Sequence, residues 1–302
     1  MLKVWWMRLA LLAAGAFSGG VNAETARVCS DVPPPPGIFS CPEQAQWNKC
    51  GESWMEDYCA FSCGRCEEPS VPACPGQKPE APEQPSQAYG RYQDLPWMSV
   101  SEWCRRFTQN LKNPARGAAE LVFLGDSITE AWPTRGAKVW QETFSRYKPL
   151  FLGIGGDQTQ QLLWRIENGE LKGLKPRVLV LLIGVNNIGW GNWAEAETAQ
   201  GVEAVLRKLH ERLPETTILH LGIFPANERP EDAFRLKIQN TNAKLAAIRI
   251  PNVRFLDIGA RFLNPDGSIS QQVMYDYLHP DEAGYRIWAQ ALQPELARIF
   301  GN

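Results

Sequence analysis

The feature that most constrains this chain is a repeated switch of hydrophobic period. Five apolar runs rich in β-branched and large residues recur: ELVFL at 120–124, PLFLGIGG at 149–156, RVLVLLIG at 177–184, TTILHLGIF at 216–224 and VRFLDIG at 253–259. Helical patterns lie among and after them, with AETAQGVEAVLRKLHERL at 196–213, RLKIQNTNAKLAAI at 235–248 and DEAGYRIWAQALQPELARIF following Pro280. Strands that alternate with helices are joined by crossovers and pair in parallel. Unbroken apolar runs, rather than alternating ones, suit strands buried on both faces. The expected fold class is therefore α/β, with a parallel five-stranded sheet covered by helices on both sides.

The first third of the chain is different. Residues 1–23 carry Lys3 and Arg8, an apolar stretch to Phe17 and small residues ending Val21-Asn22-Ala23. This is the pattern of a secretory signal peptide. The stretch falls short of the ~20 apolar residues that span a bilayer comfortably. All eight cysteines follow it and precede residue 105: Cys29, Cys41, Cys50, Cys59, Cys63, Cys66, Cys74 and Cys104. An even, clustered set in an exported chain reads as a disulfide framework. A zinc site is the weaker alternative, since Cys63 and Cys66 form a C-x-x-C with no histidine and no second such pair nearby. The expected organisation is a signal peptide over 1–23, a small disulfide-rich domain over 24–66, a Pro-rich linker over 67–90 and a globular domain over 91–302, exported to the periplasm or beyond the cell. The net charge of −2 gives no basic footprint for nucleic acid or for an anionic membrane. No cofactor and no metal is expected.

Ligands of open parallel sheets bind at the carboxyl ends of the strands. Three of the apolar runs end there in unusual residues: Gly125-Asp126-Ser127, Gly155-Gly156-Asp157 and Gly184-Val185-Asn186-Asn187. After the fifth run comes MYDYLHP, with Asp276 and His279 just ahead of the last helix. A serine, a glycine amide, an asparagine and a histidine brought to one rim meet the needs of acyl transfer. The hydroxyl requires a base, which His279 supplies with Asp276 fixing its tautomer. The tetrahedral oxyanion requires donors, for which the Ser127 N–H, the Gly156 N–H and the Asn186 amide are candidates. Ser127 with Glu130 also fits a helix capping box. Asp126 and Asp157 are expected to bond local backbone in their turns. His210 is expected on a solvated helix face and His220 inside a strand.

These blocks, VFLGDSITEAW, LGIGGDQTQQLLWRIENGEL, LLIGVNN and MYDYLHP, resemble those of the SGNH (GDSL-type) hydrolase superfamily, and within it the catalytic subunits of platelet-activating-factor acetylhydrolase. The resemblance spans about residues 117–300. It implies a three-layer α/β/α, flavodoxin-like fold and a Ser127–His279–Asp276 triad. It also implies that Gly156 and Asn186 join the Ser127 amide in the oxyanion hole. CSDVPPPPGIFSCPEQAQWNKCGESWMEDYCAFSCGRC, upstream, resembles a ShK toxin-like six-cysteine domain, which implies the pairs Cys29–Cys66, Cys41–Cys59 and Cys50–Cys63. The remaining Cys74 and Cys104 are left to pair with each other.

The sequence thus reads as a secreted serine esterase acting on short acyl esters, with an acetylated carbohydrate as the first choice of substrate. Trp190 and Trp193, close after Asn186, are the candidate sugar-stacking residues. A phospholipid or other lipid ester is the alternative. The rival class is a binding protein, in which the cysteine module recognises a surface or partner and the hydrolase fold is an inactive scaffold.

Overall fold

A computed structural model describes residues 82–301 continuously, together with 78–80, 40–46 and separate positions between 49 and 63. Residues 1–39, and with them the signal-peptide stretch, lie outside the described residues, as do Cys66 and Cys74. The chain divides into two compact units, Met1–Glu68 and Pro69–Asn302.

In the first unit a short helix, α1 (Cys41–Gln46), carries a cysteine whose sulfur is bonded to Cys59, and Cys50 is bonded to Cys63. Cys41, Met55 and Cys59 are buried together, so the bridges replace the core that so short a stretch cannot build. These are two of the three pairs implied by the ShK-like resemblance, and Cys29 and Cys66 of the third are not described. In the second unit Cys104 is disulfide-bonded.

The second unit contains five strands: β1 (Leu121–Gly125), β2 (Pro149–Gly153), β3 (Val178–Leu182), β4 (Thr217–Leu221) and β5 (Val253–Leu256). They form one parallel sheet in the order β2-β1-β3-β4-β5. The helices are α2 (Val100–Leu111), α3 (Ser127–Glu130), α4 (Ala137–Thr143), α5 (Thr159–Arg165), α6 (Val185–Ile188), α7 (Glu195–Arg212), α8 (Ala233–Leu245) and α9 (Glu282–Phe300). They flank the sheet in two groups, α7 between α5 and α8, and α4 against α9. Every residue of β1 and β3 is buried, as the unbroken apolar runs require. Each such Leu, Val or Phe contributes about 1.5–3 kcal/mol by leaving water. Among the described residues no helix is long and apolar enough to cross a membrane.

The chain runs from β1 outward to β2 on one side and returns to β3 on the other. The strand order therefore reverses between β1 and β3, and a crevice opens at their carboxyl ends. Residues 82–90, expected as the end of the linker, lie along this unit. Thr159 Oγ1 donates to the Pro85 carbonyl at 2.8 Å, and the buried Tyr89 accepts from Gln160 Nε2 at 2.8 Å.

Two histidines fall away from the crevice. His220, in β4, is buried with its ring against Phe255, and neither ring nitrogen has a hydrogen-bond partner among the described residues. His210 is not simply solvated: its Nδ1 lies 2.7 Å from Asn252 Oδ1 and the residue is half-buried, because α7 ends beside the turn that enters β5.

Candidate active site

β1 delivers Ser127 to the crevice as the first residue of α3. The cap of that helix is Asp126, not Ser127. Asp126 is buried, and its Oδ1 accepts from Ile128 N at 3.0 Å. Burial pushes its carboxyl up to about 7. The expected capping box does not form, because Glu130 points elsewhere. Its Oε2 accepts from Gly155 N at 2.9 Å and its Oε1 from Arg106 Nη1 at 2.6 Å. The serine hydroxyl, released from capping, lies 2.9 Å from His279 Nε2.

His279 sits on the loop before α9, three residues after Asp276. The Asp276 carboxylate gathers the loop, accepting from Leu278 N at 3.1 Å, His279 N at 2.7 Å and His279 Nδ1 at 2.7 Å. Partial burial alone would raise the Asp276 carboxyl, but the His279 hydrogen bonds outweigh it and hold the group below its ordinary value. A carboxylate on Nδ1 fixes the tautomer with Nε2 unprotonated, so that nitrogen is free to accept the Ser127 proton.

The loop after β2 turns at Gly156, whose φ of +73° lies in the left-handed region that favours glycine. Asp157 N donates to Ile154 O at 3.2 Å across this turn. The loop after β3 brings in Asn186, whose Nδ2 donates to the Asp157 carbonyl at 3.0 Å. The N–H groups of Ser127 and Gly156 donate to no acceptor among the described residues. The carboxylate of Asp157 does not bond local backbone as expected. It is fully buried, accepts from Trp103 Nε1 at 2.6 Å and lies 2.9 Å from Arg165 Nε and 3.4 Å from Arg91 Nη2. Turning inward gives the charge two guanidinium partners, which a buried carboxylate needs.

The crevice is a cleft of roughly 500 Å³ onto which Ser127, Gly156, Asn186 and His279 all open. Its walls include Arg106, Phe234, Leu278 and two exposed indoles, Trp97 and Trp190, which meet edge to face at 6.2 Å. Trp193 does not line the cleft. Its Nε1 donates to Gln158 Oε1 at 2.8 Å and holds the loop to the start of α5. Trp97 and Arg106 carried no signal of a role at the cleft, and Glu130 carried only that of a capping box. Trp97 lies ahead of the first strand in a stretch without periodicity. Among the described residues no group of three or more His, Cys, Asp or Glu side chains could hold a metal ion.

A parallel sheet in the order 2-1-3-4-5 is the flavodoxin-like, three-layer α/β/α arrangement, and Ser127, His279 and Asp276 are hydrogen-bonded in series at its switch point. Residues 123–287 match the GDSL-like Lipase/Acylhydrolase family, and the chain belongs to that family; it is an ester hydrolase. Over 209 residues it is 37% identical to "Platelet-activating factor acetylhydrolase IB subunit alpha1" of Bos taurus, covering 68% of this chain and 85% of that one. The Homo sapiens protein of the same name is 37% identical over 211 residues, 69% of this chain and 86% of that one. A solved structure from Streptococcus pneumonia named for platelet activating factor is 29% identical, with a TM-score of 0.51 over 64% of this chain and 89% of its own. A GDSL-like lipase from Bacteroides thetaiotaomicron, 21% identical, shares the fold with a TM-score of 0.53 over 66% of this chain and 98% of its own.

Proposed function

We propose that this chain removes short acyl groups, acetyl above all, from esters through a covalent acyl-enzyme. Ser127 is the nucleophile. His279 takes its proton as the hydroxyl attacks the ester carbonyl, and gives it to the leaving alcohol. Asp276 holds the imidazole in register and stabilises the imidazolium. The N–H groups of Ser127 and Gly156 and the second hydrogen of Asn186 Nδ2 receive the tetrahedral oxyanion. Water then enters with His279 as base and releases the acid. The single observation that carries this reading is the chain of contacts from Ser127 Oγ to His279 Nε2 at 2.9 Å and from His279 Nδ1 to Asp276 Oδ2 at 2.7 Å.

The alcohol half of the ester is read as a carbohydrate. Supporting it are the exposed Trp97 and Trp190 rings at the cleft, broad faces suited to a sugar ring. Export of the chain, which the bridged cysteines favour, would bring it to such a substrate outside the cytoplasm. An acetylated lipid is the second reading, supported by the names of the acetylhydrolase relatives and by the apolar wall of Val185, Phe234 and Leu278. Hydrolysis of p-nitrophenyl acetate tests the reaction class. Acetylated oligosaccharides set against an acetylated phospholipid, at matched concentrations, test the substrate. A preference for the phospholipid would put the second reading first.

A further inference from the structure

The Gly155–Gly156 peptide is held by a side chain from outside the region that matches the family. Arg91, buried with 3% of its surface exposed, donates from Nη2 to the Gly155 carbonyl at 3.0 Å. That carbonyl belongs to the same planar unit as the Gly156 N–H. In a trans peptide the C=O and the N–H point in opposite directions. A guanidinium fixed on the oxygen therefore sets the direction of the N–H on the other side. The neighbouring peptide is fixed as well, by Glu130 Oε2 accepting from Gly155 N at 2.9 Å. Beyond the turn, the Asp157 carbonyl is held by Asn186. Rotation of the Gly156 amide would break at least one of these contacts.

We propose that Arg91 is a positioning residue for the reaction, acting through the Gly156 amide. It aims this donor at the oxyanion and, as a buried cation on the carbonyl end of the peptide, polarises the N–H into a stronger donor. Asp157 Oδ1, 3.4 Å from Nη2, anchors the guanidinium in place. The charge is needed in this role. A neutral donor would orient the peptide but polarise it less.

The inference rests on the reading of Gly156 as an oxyanion donor, and the test keeps the two apart. Purified Arg91→Met and Arg91→Lys are assayed on p-nitrophenyl acetate beside Ser127→Ala and the parent protein. Displacement of one donor should lower kcat of Arg91→Met by about 10- to 100-fold, with KM within about twofold of the parent. Arg91→Lys, which keeps the cation, should fall between the two. Combined with Asn186→Ala, which removes the companion donor, Arg91→Met should be less than multiplicative, since both residues hold one turn. A defect that only loosened the fold would lower the melting temperature and the active fraction without this coupling. Should Arg91→Met fail to fold, the comparison of Arg91→Lys with the parent, and its coupling to Asn186→Ala, decides alone. Parent-like kcat in a folded Arg91 variant, or a loss confined to KM, overturns the inference. Turnover surviving in Ser127→Ala would instead overturn the reading of the site.

Discussion

The Nδ2 of Asn186 donates to the Asp157 carbonyl at 3.0 Å, tying the loop after β3 to the loop after β2. One hydrogen of the amide is spent on this tether, and the other is the one proposed to meet the oxyanion. Asn186→Ala removes a proposed oxyanion donor and the tether together. It should lower kcat by roughly 10²–10³ while changing KM little, because the donor acts on charge that develops after binding. Steady-state kinetics on p-nitrophenyl acetate check this, and a rise in KM at constant kcat would assign Asn186 to ground-state binding.

The contact of Ser127 Oγ with His279 Nε2 sets a second expectation. Ser127→Ala and His279→Ala should each cut ester turnover by several orders of magnitude, and the double variant by little more, because the residues act as a unit. Asp276→Asn should cost less than loss of the histidine. Near-parental turnover in Ser127→Ala would remove it as nucleophile.

The three tryptophans near the cleft should separate by role. Trp97→Ala and Trp190→Ala should weaken hydrolysis of acetylated oligosaccharides, spare p-nitrophenyl acetate and barely move the melting temperature, since both rings are exposed. Trp193→Phe loses the hydrogen bond to Gln158 and should cost about 1 kcal/mol of stability with no selective effect on sugar esters. Equal losses on both substrates for Trp190→Ala would sink the carbohydrate platform.

His220 predicts a pH dependence of stability. Burial without a partner lowers its folded value from 6.5 to about 3. The unfolded chain therefore takes up a proton below pH 6.5 that the folded protein refuses. This contribution is fully present above pH 6.5 and is lost progressively as pH falls from there towards 3. His220→Leu should abolish that part of the slope. Denaturant melts of parent and variant at pH 7.5 and 4.5 measure it, and a difference between the two proteins that does not change with pH would refute it.

The sequence by itself determined the sheet, its five strands and the residues at their ends. Each is a local signal: an unbroken apolar run must be buried on both faces, and Gly125-Asp126-Ser127, Gly156 or Asn186 can only follow where such a run stops. Ser127 and His279, 152 residues apart, are joined by motif and by topology. The helices at Ala137–Thr143 and Thr159–Arg165 are not legible in the sequence, because seven residues are too few to display a clear period, whereas Val100–Leu111 does carry one, with Val100, Trp103, Cys104, Phe107 and Leu111 spaced along one helix face. Tertiary structure alone decided what the polar side chains around the site do. Asp126 rather than Ser127 caps α3, Glu130 leaves its own helix for Gly155, Asp157 turns inward to two arginines, and Trp97 rather than Trp193 faces the cleft. Nothing in the periodicity of a segment tells a carboxylate or an indole which distant partner will lie within hydrogen-bonding reach. That choice falls to whichever partner compensates the loss of water when the crevice closes around it.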